Sequence, residues 1–183
     1  PAPPDAKTAA RDQAAAAVAA GGFGHREVIV RVNGLDTPWW LDDLGMAAKA
    51  KPHGVLVPKV ASTADLTAIA DRFGDIGADH AIRVWIMIET PLGVLRAEEL
   101  AAASRDSEMR LAGIVIGPND IARETRMRMV PGRPPVVPAL VESAMTPVLA
   151  AFLEDGVGVR IQATVPLSGV LLPQLAAGAL HPA

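Results

Sequence analysis

The sequence predicts an α/β protein built on parallel strands, and three observations lead there. Short apolar runs alternate with helix-like segments from the N-terminus to Asp120. The runs "EVIVRVNG", "GVLVPKV", "IRVWIMIE" and "AGIVIGPND" are apolar almost throughout rather than at every second position. That is the pattern of parallel strands covered on both faces. Polar residues close the runs at a near-constant interval: Arg31 to Lys59 is 28 residues, Lys59 to Glu89 is 30 and Glu89 to Asp120 is 31. A strand–helix–strand unit occupies about 30 residues, so four successive strands each end in a polar group.

The elements follow in order. The first 21 residues read as a helix, with Asp5 after two prolines as its cap, an alanine-rich body and Gly21–Gly22 as its stop. "EVIVRVNG" is the first strand and "WWLDDLGMAAKA" a helix. "GVLVPKV" is the second strand; "STADLTAIADRF" opens with Ser62 and has Asp65 three residues on, an acidic capping box. "IRVWIMIE" is the third strand, "LRAEELAAAS" a helix and "AGIVIGPND" the fourth strand. Beyond Asp120 the regularity weakens. "IARETRMRM" is a basic helix, "VPGRPPVVP" a loop, "ALVESAMTPVLAAFL" a helix kinked at Pro147, and "GVGVRIQATV" a fifth strand.

Composition narrows the function classes. The chain has 183 residues, enough for one domain with a sizeable core. A net charge of −3 and six aromatic residues argue against a nucleic-acid surface, which needs clustered cations and stacking rings. There is no cysteine, which excludes disulfides and thiolate metal sites and fits a reducing compartment such as the cytoplasm. No apolar run approaches the roughly 20 residues of a membrane span, and "PAPPDAK" has no signal-peptide pattern.

Candidate chemistry collects at the strand ends, because the C-terminal edge of a parallel sheet is where such folds act. Glu89 and Asp120 would make an oxygen-rich pair suited to Mg²⁺. The structural alternative is that Glu89 caps the following turn and Asp120 the next helix. Arg31 stands inside "VIVRVNG", where a buried charge needs an anion: a substrate carboxylate, or a structural ion pair. Lys59 is a substrate contact, a phosphate ligand or a base, or a solvated strand-end lysine. Gly117, Pro118 and Asn119 precede Asp120 in a rigid loop that lets backbone approach a ligand. His25, His53, His80 and His181 lack metal-ligand spacing, and no acyl-enzyme serine or nucleotide-phosphate motif is present. Arg123, Arg126, Arg128 and Arg133 read as a solvated helix face before they read as phosphate ligands.

Taken with their neighbours, "PDAKTAAR", "VIVRVNGLDTPWWLDDL", "GVLVPKVAS", "WIMIETPLGVL" and "RLAGIVIGPNDIARETRMRMVPGRPP" resemble the citrate lyase β-subunit-like family, which belongs with malyl-CoA and citramalyl-CoA lyases. The resemblance runs from about Asp5 to Met145, leaving residues 146–183 poorly matched. It implies a single (β/α)8 TIM barrel of the pyruvate-binding type, here about six of eight units with the N-terminal strands and their Leu-Glu-Asp motif missing. It implies Mg²⁺ on Glu89 and Asp120, and Arg31 on the acid's carboxylate. Lys59 would join Arg31 in catalysis, with Gly117, Pro118 and Asn119 against substrate. The implied reaction is cleavage of a 3-hydroxyacyl-CoA into an acyl-CoA and an α-keto acid, such as oxaloacetate from a citryl thioester, by a homotrimer. Two other readings stand beside it: a non-catalytic remnant that binds or assembles, and a class II aldolase acting on free keto acids.

Overall fold

The computed structural model describes residues 2–126 and 160–163. Helix α1 (Lys7–Ala20) leads to strand β1 (Ile29–Arg31), then α2 (Trp40–Ala50), β2 (Gly54–Val57), α3 (Thr63–Asp75) and β3 (Arg83–Ile88). Two short helices, α4 (Pro91–Leu95) and α5 (Ala97–Ala102), precede β4 (Leu111–Ile116) and α6 (Pro118–Glu124); β5 is Arg160–Ala163. The strands form one parallel sheet in the order β1-β2-β3-β4-β5. All five expected strands are present. The kinked helix around Pro147 and the Pro-rich loop lie outside the described residues.

Alternation along the strands separates two apolar layers. Val84, Ile86 and Ile88 of β3, with Val55, Val57, Ile114 and Ile116, join the helices in the larger core. Leu66, Ile69 and Phe73 come to one face of α3 by their spacing of three and four residues, and all are fully buried. Each such side chain contributes about 1.5–3 kcal/mol relative to exposure. Trp85, Met87 and Val115 form a second cluster with Ile29, Leu56 and Ala112. The Trp85 ring lies over Gly113, where an added Cβ would come within 2.5 Å of it. β1 is half-buried to exposed, because it lies at an edge of the described sheet.

Helix ends explain most boundaries. Ser62 caps α3 in the expected box: its hydroxyl accepts from the Asp65 amide, and the Asp65 carboxylate accepts from the Ser62 amide at 3.0 Å. α1 stops at Gly21 (φ 66°) and Gly22 (φ 84°), conformations that favour glycine. Asp5 is not the cap of α1. Pro4 starts a 3₁₀ turn (Pro4–Ala6) that draws Asp5 inside it, and Ala6 precedes the helix with no side-chain cap. The single helix expected after β3 is two, because the chain leaves helical geometry at Arg96 (φ −107°, ψ 17°). Among the described residues, no helix is long and apolar enough to cross a membrane.

Candidate active site

Glu89 follows the last residue of β3 on the face that carries Trp85 and Met87, away from the helix layer. It is only 6% exposed. It does not cap the following turn. Thr90 does so, its hydroxyl accepting from the Gly93 amide at 3.0 Å, with Pro91 as the first helical residue. The Glu89 carboxyl is thus left free for other work. Its pKa is raised from 4.5 to about 7, first by burial, then by the negative charge of Asp120 and a hydrogen bond to it. The charges of Arg31 and Lys59 oppose the rise. The charges at the other three strand ends are thus felt at Glu89.

Asp120 reaches Glu89 from the first turn of α6. It is not the N-cap, because Pro118 opens the helix and Gly117 occupies the cap position. Its carboxylate also contacts the Arg123 guanidinium. Gly117 lets the two strand ends meet: its amide donates to the Ile88 carbonyl at 2.9 Å, and an added Cβ would lie 2.7 Å from Glu89 Cβ and 2.9 Å from Oε2. Asn119 is exposed beside this turn.

Arg31 differs from the expectation of a buried strand charge. It is exposed at the edge of the described sheet, and it makes no ion pair among the described residues. In the ladder it lies level with Leu56 and Trp85, four residues before Glu89. Its influence on Glu89 is through charge, and its guanidinium is open to an external anion. Lys59 holds a left-handed backbone (φ 58°), unusual for a residue with a Cβ, and its ammonium lies 3.5 Å from the Asp36 carboxylate. His53 is structural: its Nδ1 accepts from the Val28 amide at 2.9 Å. Among the described residues, no three His, Cys, Asp or Glu side chains cluster as a metal site. Two carboxylates plus water and substrate oxygens remain a sufficient set for Mg²⁺. The hydrogen-bonded pair of buried Glu89 and half-buried Asp120 fits that ion, since a divalent charge relieves the repulsion between them.

A second polar group went unread in the sequence. Asp43 of α2 is buried and accepts from the Asn33 amide at 2.9 Å, from Asn33 Nδ2 at 2.5 Å and from Arg11 Nε at 2.9 Å. Lys7 donates to Asn33 Oδ1 and lies 4.8 Å from the Trp39 ring centre. Lys7, Arg11, Arg31, Asn33 and Asp43 border a cavity of about 130 Å³ between α1 and the edge of β1. The available signal was the position of Asp43 next to Leu44 and four residues before Ala47, on the apolar face of its helix.

Residues 1–162 match the HpcH/HpaI aldolase/citrate lyase family. The chain belongs to that family. Among relatives in the HpcH/HpaI family, a (3S)-malyl-CoA thioesterase of Cereibacter sphaeroides is 41% identical over 129 residues, 70% of this chain and 41% of the relative. A malyl-CoA/β-methylmalyl-CoA/citramalyl-CoA lyase of Chloroflexus aurantiacus is 35% identical over 133 residues, 69% of this chain and 37% of that one. The citrate lyase β subunit of M. tuberculosis, solved with oxaloacetate and magnesium, has a TM-score of 0.65 and 24% identity, covering 88% of this chain and 64% of its own. That likeness shows a shared fold. The chain spans about two fifths of the length of the curated relatives it matches.

Proposed function

We propose that the protein binds the hydroxy-acid end of a malyl-, citramalyl- or citryl-type CoA thioester and cleaves its carbon–carbon bond, giving an acyl-CoA and an α-keto acid. The observation that carries this reading is the buried Glu89 carboxyl, held protonated to about pH 7 by burial and by Asp120 beside it. Such a pair is poorly placed without a cation and well placed to hold one. Glu89 and Asp120 would hold Mg²⁺, which when bound supplies positive charge against the oxyanion that develops as the bond breaks. Arg31 offers a guanidinium that makes no ion pair among the described residues to the acid's carboxylate, for which its planar fork is suited. Lys59 adds a second cation and a proton-bearing group on the same side. In cleavage the substrate hydroxyl gives up its proton, its C–O bond becomes a carbonyl, and the departing acyl-thioester carbon takes up a proton. Gly117, Pro118 and Asn119 would shape the floor and rim around the acid.

Hydrolysis is a second reading, favoured by the thioesterase name of the 41% identical relative. Malyl-CoA incubated with the protein and Mg²⁺ separates the two. Carbon–carbon cleavage gives glyoxylate and acetyl-CoA, the predicted result. Malate with free CoA thiol would replace cleavage by hydrolysis. Neither product would sink both readings and leave a binding role.

A further inference from the structure

We infer that Asp43 is a positioning residue for Arg31, acting through Asn33. This rests on the reading of Arg31 as the carboxylate-binding group. β1 is three residues long, too short for its ladder to fix both ends firmly, and Arg31 is its last residue. Just beyond it the Val32 amide donates to the Leu56 carbonyl at 3.0 Å, after which the chain turns away from the sheet. Asn33 is then gripped at three points. Its amide and its Nδ2 both donate to Asp43 Oδ2, and its Oδ1 accepts from Lys7. Asp43 is itself held by Arg11 Nε at 2.9 Å, and that arginine also lies 3.5 Å from Asp42. A buried carboxylate with this many donors is rigid, because losing any of them leaves a costly unsatisfied charge. Helices α1 and α2 are thereby tied to the residue two positions after Arg31. Arg31 makes no ion pair of its own among the described residues, so its backbone anchorage decides where its guanidinium waits. Preorganisation of this kind matters for binding a small anion, where misplacement by about 1 Å can cost about a hundredfold in rate.

The test is calorimetric binding of oxaloacetate in saturating Mg²⁺, and of Mg²⁺ alone, to the full chain and to Asp43→Asn, Arg31→Ala and the double variant. Asn at 43 keeps an acceptor but loses the charge that holds Arg11. Asp43→Asn is expected to weaken oxaloacetate tenfold or more while Mg²⁺ affinity stays within twofold. In the Arg31→Ala background it is expected to add nothing, since it acts through Arg31. A full additional loss in the double variant, or an equal loss of Mg²⁺ and oxaloacetate, would reduce Asp43 to a structural strut. Unchanged oxaloacetate binding in Asp43→Asn, with Arg31→Ala weakened, would overturn the inference alone. Unchanged binding in Arg31→Ala would overturn the carboxylate reading and the inference with it. Should Asp43→Asn fail to fold by circular dichroism, Asn33→Ala, which removes the side-chain bonds to Asp43 and Lys7, is read by the same criteria.

Discussion

Glu89 keeps its proton at a pH where an ordinary glutamate has lost it, its pKa being raised from 4.5 to about 7. A pKa higher in the folded than in the unfolded chain gives stability that is complete below pH 4.5 and is lost as pH rises through about 7. The metal-free protein should therefore be destabilised by this residue between those values. The effect is isolated by comparing thermal unfolding of wild type and Glu89→Gln in chelator from pH 5 to pH 8. Wild type is expected to lose melting temperature relative to the variant as pH rises; a constant gap would contradict the assignment. At this scale the sequence was partly legible. A carboxylate closing an apolar run, 31 residues before a second one, was enough to single out Glu89 and Asp120. The exposure of Arg31 was not legible, because an apolar run looks the same at the edge of the described sheet as in its middle. The Asp43 clamp was hidden for a related reason. "LDDL" reads as surface helix until it is known which of the two aspartates faces inward.

At the scale of elements, alternation along each strand sends one set of side chains to the helices and the other to the site. Continuous apolar runs, the Ser62 capping box and the paired glycines after α1 made these elements readable from local chemistry. Helix starts were harder to place where proline intervened without a polar cap before it: Pro4 and Pro118 each open a helical segment that no side chain caps. The second apolar cluster depends on a pairing visible only across strands. Gly113 of β4 leaves room for the Trp85 ring of β3, which an added Cβ would meet at 2.5 Å. Gly113→Ala should cost about 1–3 kcal/mol in denaturant unfolding, the usual range for overpacking. An unchanged midpoint would mean that the ring moves aside freely.

Over the whole molecule, parallel order brings Arg31, Lys59, Glu89 and Asp120 to one edge of one sheet although 89 residues separate the first from the last. The near-constant spacing made that gathering legible, since each strand–helix unit returns the chain to the same edge. The pairing of Lys59 with Asp36 and of Asp120 with Arg123 was not legible, because it depends on loop and helix geometry rather than on periodicity. Membership of the HpcH/HpaI aldolase/citrate lyase family and the fold shared with a citrate lyase β subunit agree with this architecture. We propose that the described sheet is part of a (β/α)8 barrel. The central claim is that Glu89 and Asp120 form one metal site at its C-terminal edge. Titration of Mg²⁺ into wild type, Glu89→Gln and Asp120→Asn by calorimetry tests it most directly. One Mg²⁺ per chain in wild type, with binding abolished in either variant, is the predicted result; Mg²⁺ affinity unchanged by both substitutions would contradict it.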